Sequence, residues 1–153
     1  MAKGKKILII AGVVAAVLAL AGYGFGSYYY SRGQVAERYE AAAKKSFKDS
    51  LEYQVWSDTK KEIKTSEVKY TDTKSTQAYS KSQLMSGERM QKVGRQFLIF
   101  PKWRVVVDPG TVDLTVNTAD LNVTINGVSY ATTDGNNYTA KLNHLYPGTY
   151  NFV

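Results

Sequence analysis

The side chains that could do acid–base chemistry are four aspartates and one histidine, all in the last third of the chain. Two carboxylates at a suitable separation can serve as the acid and base of a hydrolase, and a histidine can shuttle a proton near neutral pH. Each aspartate here stands in or beside a turn sequence, where a carboxylate bonds the adjacent backbone. His144 has no second histidine or cysteine to work with, so we expect an ordinary loop residue. The aspartates are Asp108, Asp113, Asp120 and Asp134.

Most other site chemistry is excluded by residue types that the chain lacks. With no cysteine and one histidine, disulfide frameworks, thiolate catalysis, iron–sulfur clusters and multi-histidine metal sites are ruled out. No glycine-rich phosphate loop, nucleophile elbow or H-E-x-x-H pattern occurs. A chain of 153 residues is long enough for one ordinary domain. We therefore predict no enzyme activity, no cofactor and no metal site, which leaves a binding, anchoring or structural protein.

The net charge of +7 is not concentrated in one basic domain. Residues 1–6 contribute +3, residues 32–101 contribute +5 and residues 102–153 contribute −1. This distribution predicts no nucleic-acid partner. Lysines in the middle of the chain could instead contact anionic wall polymers or lipid headgroups, the alternative being a plain solvated surface. These lysines are Lys60, Lys61, Lys64, Lys69 and Lys74.

A stretch of 19 residues without a charged side chain, residues 7–25, stands near the start of the chain. At about 1.5 Å per residue, a helix of this length spans roughly 28 Å, close to the ~30 Å hydrocarbon core of a bilayer. Lysines precede the stretch, and tyrosines and an arginine follow it, as is typical of a cytoplasmic end and a membrane interface. The flanking residues are Lys3, Lys5, Lys6, Tyr28, Tyr29, Tyr30 and Arg32.

These features predict a single-pass cell-membrane protein whose first partner is the lipid bilayer. Residues 1–6 are then a cytoplasmic tail, residues 7–30 a transmembrane helix with its interface, and the remainder is extracytoplasmic. The alternative is a cleaved secretory signal with an A-x-A site ending at Ala21. The apolar stretch continues past that site and a tyrosine belt follows, which favours the anchor. Both interpretations export residues 32–153.

Small residues recur at near-helical spacing along the predicted span. Such a stripe can let two transmembrane helices approach closely, so a homo-oligomer is one interpretation. The alternative is that Ala and Gly are simply common in such spans. The stripe consists of Gly12, Ala16, Ala19, Gly22 and Gly26.

Residues 31–96 are predicted to form a helical and linker region outside the membrane. Apolar residues in steps of three and four between 35 and 51 predict an amphipathic helix, reached through a flexible joint at 31–33. Residues 52–96 are rich in Lys, Ser, Thr and Gln, and they read mainly as linker or solvated surface. A further helix is expected over 84–93.

From residue 97 onward the pattern becomes that of short strands. The apolar stretch at 97–100, which we expect Pro101 to end, and the stretch at 103–107 are typical of buried strands. Alternating apolar and polar residues at 112–116 and 121–125 predict half-buried ones. Regularly spaced turn sequences predict a small antiparallel sandwich over 97–153, and with the helices an α+β fold. The turns are Asn126-Gly127, Asp134-Gly135 and Pro147-Gly148.

Four segments of this region stand in a recognisable order: Phe-Leu-Ile-Phe-Pro-Lys-Trp at 97–103, Val-Asn-Thr at 116–118, Val-Thr-Ile-Asn-Gly at 123–127 and Leu-Tyr-Pro-Gly-Thr-Tyr at 145–150. Behind a membrane span, they resemble the TcaA-like (teicoplanin-resistance-associated) membrane proteins of Gram-positive bacteria. The last part alone is similar to PEGA-type surface modules, which implies an Ig-like or PEGA-like sandwich. The resemblance further implies a part in the response to glycopeptide antibiotics or wall stress.

Two features depart from that family. Many members begin with a Cys-rich cytoplasmic zinc ribbon, whereas this chain has no cysteine and only six residues before the apolar stretch. Members also continue beyond the Pro-Gly-Tyr strand, whereas this sequence ends at Val153, within a strand by its pattern. We therefore expect a fragment, a truncated gene or a minimal relative, and the binding activity of further domains is not transferred.

Three functions follow from these observations. The favoured one is an envelope-facing membrane protein whose β module binds or scaffolds at the cell wall, with wall polymers or envelope proteins as partners. The second is a secreted adhesin-like β module released by cleavage near Ala21. The third is a wall hydrolase, which the missing catalytic motifs disfavour.

Overall fold

The computed structural model describes residues 3–135 and 137–153. It opens with one long helix, α1 (Lys3–Tyr29), whose most apolar window has a mean hydropathy of 2.4 and is 0% buried. Within the described residues, α1 is the one helix long and apolar enough to cross a membrane. Short helices and small sheets make up the rest, so the predicted α+β class with a long apolar N-terminal helix is confirmed.

Three short helices follow α1: α2 (Arg32–Lys45), α3 (Phe47–Ser50) and α4 (Lys81–Ser86). The joint between α1 and α2 is not the flexible 31–33 linker that the sequence predicted. Ser31 is extended, with ψ 156, and its hydroxyl donates a hydrogen bond of 2.6 Å to a carbonyl in the last turn of α1. Arg32 already belongs to α2, so the two helices meet at a two-residue corner, Tyr30 and Ser31.

The amphipathic stripe predicted in this region is present on α2. Val35, Ala36 and Tyr39 are all buried on the side that faces the sheet. The helix does not continue to residue 51, because Ser46 is extended and its side chain accepts a hydrogen bond from the Asp49 N–H (3.1 Å), which caps α3. Single turns of 3-10 helix follow at Leu51–Tyr53 and Thr65–Val68.

The central sheet contains β1 (Gln54–Trp56), β2 (Met90–Gln96) and β3 (Phe100–Val107), in the order β1-β3-β2. β1 runs parallel to β3, and β2 runs antiparallel to it. The helix expected over 84–93 is therefore wrong beyond Ser86, because glycines weaken a helix there and β3 offers backbone groups that need partners. The β2–β3 hairpin also spans position 97, where the sequence placed the start of a separate module.

The apolar stretch at 97–100 is not the single buried strand that its composition suggested. Residues 97–99 form the turn of the β2–β3 hairpin, and β3 begins at Phe100. Pro101 does not end the strand but pairs with Arg95. A proline is tolerated there because β1 pairs only with the far end of β3, so no ladder hydrogen bond is lost on that side.

Two antiparallel ribbons complete the fold. β4 (Gly110–Val116) pairs with β7 (Tyr138–Leu145), and β5 (Asn122–Ile125) pairs with β6 (Val128–Thr132). The turn between β5 and β6 has φ values of 49° at Asn126 and 79° at Gly127, as an Asn-Gly hairpin requires. β4 and β5 lie close to the positions that alternation predicted.

Three clusters of buried side chains hold these elements together. The first joins α2, α4, β2 and β3 around Val105, and the second joins β1 to the segment after β7 around Trp56. The third packs the two ribbons against each other around Ile125. Because the first cluster lies directly after the α1–α2 corner, it fixes how the β2–β3 hairpin stands relative to α1.

Candidate membrane-interface site

The apolar surface of α1 is uncovered along nearly its whole length. Lys3, Lys5 and Lys6 lie in its first turns and are exposed, and the large aliphatic side chains between residues 7 and 20 are exposed on every side of the helix. A helix that is apolar all round has to be surrounded by protein or by lipid. The lysines thus mark a charged end, and the apolar body behind them needs a non-aqueous environment.

Tyrosines cluster at the other end of α1. Tyr28 is 64% exposed, whereas Tyr29 lies beneath the guanidinium of Arg38, whose Cζ is 3.8 Å from the ring centroid. Tyr30 is half-buried beside the β2–β3 hairpin. Rings with a polar tip suit a membrane–water boundary, and here two of the three also attach α1 to the rest of the chain.

Arg32, which the sequence predicted as an interface charge, also makes contacts within the folded region. Its Nη2 donates hydrogen bonds of 2.8 Å to the carbonyl oxygens of Leu84 and Gly87, at the end of α4. Its Cζ lies 5.8 Å from the ring centroid of Trp103 on β3. The side chain is part-buried and directed into the folded region, so Arg32 ties the start of α2 to α4 and the sheet.

The turn of the β2–β3 hairpin exposes three large apolar side chains in a row. Phe97, Leu98 and Ile99 are 74%, 85% and 57% exposed. Scattered apolar side chains are normal on a protein surface, but contiguous ones at a projecting tip indicate a contact site. These residues were missed as functional candidates because an apolar stretch of this length is also typical of a buried strand.

The backbone of this turn adopts a conformation that its residues disfavour. Phe97 and Leu98 have φ values of 50° and 66°, and the Ile99 N–H donates to the Gln96 carbonyl at 3.2 Å, the arrangement of a type I′ turn. Left-handed φ costs a residue with a side chain roughly 1–2 kcal/mol, and Asn-Gly avoids most of that cost. The chain uses Asn-Gly at its other tight hairpin and bulky apolar residues here.

The hairpin packs directly on the end of α1. The ring of Phe100 lies 5.8 Å from that of Tyr23 and 5.4 Å from that of Tyr30, centroid to centroid. Its atoms fill the space above Gly26, the one buried residue of α1, and a methyl group on Gly26 would overlap the ring. Phe97 also contacts Tyr30, with centroids 6.1 Å apart.

The small-residue stripe therefore divides into two parts. Gly26 is occupied by Phe100 of the same chain, so its small size serves this hairpin contact. A Cβ on Gly12 or Gly22 would meet nothing within 4 Å, and Ala16 and Ala19 are exposed. The structure does not bring these four residues against any other part of the described chain.

A histidine–aspartate pair joins β7 to the turn that follows β1. His144, on β7, donates from Nε2 to Asp58 Oδ2 at 2.8 Å, and its ring centroid is 5.2 Å from that of Trp56. Desolvation opposes the charged form of Asp58, but the hydrogen bonds from His144 and from the Thr59 N–H outweigh it and lower the Asp58 pKa. The loop position expected for His144 is wrong, because β7 runs through it.

Asn126 connects three segments in addition to forming its turn. Its Nδ2 donates to the carbonyl oxygens of Tyr70 (2.8 Å) and Thr149 (3.1 Å), and its Oδ1 accepts from the Asn151 N–H (2.8 Å). Gly127 supplies the second positive φ of the turn. The other predicted turn residues are exposed or half-buried bends, namely Asp134, Gly135, Pro147 and Gly148.

An open cleft of about 330 Å³ lies between the end of β3 and the bend after β7. Its walls include Arg89, Asp108 and Gly148. Tyr146 also lines it; burial raises the pKa of this phenol, and its hydroxyl donates to Gln54 Oε1. Among the described residues, no group of three or more His, Asp or Glu side chains is placed to hold a metal ion.

Comparisons of the chain with protein-family models, with curated proteins and with solved structures found no match.

Proposed function

We propose that this chain is a single-pass membrane protein with a cytoplasmic N-terminus and an extracytoplasmic folded region. The observation that carries the proposal is the uncovered apolar surface of α1, which no part of the described chain shields from solvent. A helix satisfies its backbone hydrogen bonds internally, so it is stable in lipid. Its apolar side chains are also more stable there than in water. The lysines at its start favour the cytoplasmic side for that end.

The continuity of α1 supports an anchor over a cleaved signal. α1 continues without interruption from Lys3 through Ala21 to Tyr29, so the A-x-A site lies inside a regular helix. Cleavage after Ala21 would leave Gly26 and Tyr30 against Phe100 but would remove most of the apolar stretch. The uncleaved chain keeps residues 7–25 as one apolar segment that ends at the hairpin.

We further propose that the extracytoplasmic part binds or scaffolds at the cell wall, as a TcaA-like relative acting in glycopeptide or envelope-stress responses. Five exposed lysines between residues 60 and 74 offer contacts for anionic wall polymers. The two ribbons packed around Ile125 support a sandwich-like, PEGA-type arrangement. The proposal includes no catalytic step.

The topology is tested with a C-terminal epitope tag and a protease added to intact cells. We expect the tag to be lost from intact cells, the protein to resist alkaline carbonate extraction and the isolated protein to begin at its original N-terminus. A tag that survives until the cells are lysed contradicts the topology. A mature N-terminus at Gly22 supports the secreted alternative instead.

Wall binding is tested by sedimenting the purified full chain with isolated cell walls. We expect binding that weakens as salt is raised, since screening reduces the attraction between lysines and anionic polymers. A variant with Lys60, Lys61 and Lys64 changed to Gln should bind more weakly, and a variant with Lys44 and Lys45 changed to Gln serves as the control. Release of soluble fragments from the walls would contradict the non-enzymatic assignment.

A further inference from the structure

The β2–β3 hairpin combines an apolar tip with a sequence that contains basic residues and no acidic ones. Phe97, Leu98 and Ile99 project into solvent at the turn. Three exposed apolar residues in succession are avoided on soluble surfaces unless something covers them. Residues 89–107, which form the hairpin, contain five basic residues and no acidic one: Arg89, Lys92, Arg95, Lys102 and Arg104.

Contacts of Phe97 and Phe100 place the base of this tip at a definite level of the helix. The Phe100 ring spans from Tyr23, inside the apolar stretch 7–25, to Tyr30 beyond it. At about 1.5 Å per residue, these two tyrosines are roughly 10 Å apart along the helix axis. When residues 7–25 occupy the hydrocarbon core, that interval covers the boundary between acyl chains and headgroups on the side of the folded region.

The backbone conformation of the tip also indicates that its apolar side chains make a contact. Positive φ at two successive turn residues is easily adopted by Asn-Gly, as at 126–127 in this chain. In the turn at 97–99, the two positive φ values fall on Phe97 and Leu98, which disfavour them. Strained positions persist where the side chains are needed for a contact, and here the strained residues are among the most exposed apolar ones.

We propose that the hairpin tip inserts into the outer leaflet beside α1, as a second membrane contact of the folded region. Phe97, Leu98 and Ile99 enter the boundary between acyl chains and headgroups, while Arg95, which is exposed on β2 next to them, lies at the level of the lipid phosphates. The proposal rests on α1 spanning the bilayer. Together with α1, the tip holds the folded region in one orientation on the membrane.

The tip is tested by attaching an environment-sensitive fluorophore to single cysteines in the full chain, which has no cysteine of its own. Leu98→Cys reports on the tip, and Val128→Cys, an exposed apolar residue after the other type I′ turn, is the matched control. Val17→Cys, near the middle of the apolar stretch, reports on the span. Each labelled chain is reconstituted in phosphatidylcholine–phosphatidylglycerol vesicles that contain nitroxide-labelled lipids.

We expect the Leu98 label to be blue-shifted and quenched several times more strongly than the Val128 label. Nitroxides near the headgroups should quench it best, whereas nitroxides deep in the acyl chains should quench the Val17 label best. If Val17 is quenched and Leu98 behaves like Val128, the insertion of the tip is refuted and the span stands. If neither Val17 nor Leu98 is quenched, the proposed span and the tip fall together.

A second variant separates lipid contact from folding. Phe97→Asn with Leu98→Gly keeps the type I′ turn and removes its apolar side chains, so the hairpin should still form. With the fluorophore at Ile99→Cys, we expect quenching by shallow nitroxides to fall severalfold relative to the chain with its natural turn. Unchanged quenching refutes insertion by these side chains. Disulfide-linked dimers of Leu98→Cys, formed without lipid quenching, would assign the tip to a second copy of the chain and overturn the proposal.

Discussion

Replacing Arg32 by lysine tests whether this residue acts only through its positive charge or also through its contacts with α4 and Trp103. If the charge only marks the membrane interface, lysine serves equally well. In the structure, however, Arg32 Nη2 reaches the carbonyl oxygens of Leu84 and Gly87, both at 2.8 Å, while the guanidinium lies over Trp103. A lysine side chain is shorter and has no planar group, so it cannot make both hydrogen bonds and the ring contact together.

The expected loss of stability follows from the interactions that lysine cannot make. A hydrogen bond from a charged donor contributes about 1.5–3 kcal/mol to stability, and a cation–π contact near the surface about 0.5–1 kcal/mol. Arg32→Lys, which loses one hydrogen bond and the ring contact, should therefore lower the free energy of unfolding by about 2–4 kcal/mol. Arg32→Met loses both hydrogen bonds and the ring contact and should cost about 3.5–7 kcal/mol. In a chain of this size, the lysine variant should melt roughly 5–15 °C lower.

Thermal unfolding of the full chain in detergent micelles, followed by tryptophan fluorescence, measures this effect. Trp103 contacts the guanidinium and Trp56 lies in another cluster, and they are the two tryptophans of the chain. Arg95→Lys, at an exposed arginine of β2, is the control and should shift Tm by less than about 2 °C. An Arg32→Lys variant that melts with the wild type would refute the reasoning, since charge alone would then suffice.

Three further predictions address the other contacts. Gly26→Ala should loosen the hairpin from α1, seen as faster proteolysis at the tip, because overpacking costs about 1–3 kcal/mol against a gain of about 1 kcal/mol in helix propensity. Asn126→Gly keeps the positive φ but removes three side-chain hydrogen bonds, so urea unfolding should show a loss of about 2–4 kcal/mol. The Lys81 N–H lowers the pKa of Glu40 from 4.5. Glu40 therefore stabilises the fold above pH 4.5 and loses that effect as the pH falls through its lowered pKa, whereas Glu40→Gln should lack this dependence.

Each of these predictions has its own control. Gly22→Ala meets no neighbour within 4 Å and should leave proteolysis unchanged, and equal cleavage of both glycine variants would contradict the Phe100 contact. Asn126→Asp keeps the acceptor for Asn151 and should fall between the wild type and Asn126→Gly. A wild-type chain and a Glu40→Gln chain with the same urea midpoint at every pH would contradict the assignment of Glu40.

Local patterns in the sequence were sufficient to predict elements whose structure follows from their own residues. Nineteen uncharged residues predict the apolar body of α1, and steps of three and four predict the buried face of α2. The Asn126-Gly127 turn follows from the positive φ values that it needs. Alternation placed β4 and β5, one strand of each ribbon, within a few residues, because a half-buried strand has a period of two.

The same reasoning failed where an apolar stretch is compatible with two structures, a buried strand or an exposed turn. Residues 97–100 read as a buried strand because composition alone does not say what covers a side chain. The prediction of a helix over 84–93 failed because Met90–Gln96 pairs with the edge of β3 as a strand. In both cases the outcome depends on a partner that is distant in the sequence or outside the chain.

The sequence by itself determined that one end of this protein is a long apolar helix behind a lysine cluster and that the other end is rich in short strands. Only the tertiary structure decided that Arg32 binds α4 some fifty residues away, that Gly26 accommodates Phe100 and that Asn126 joins three segments. The physical reason is that helix and turn preferences act over a few neighbouring residues, whereas these contacts join residues that only the folded chain brings together.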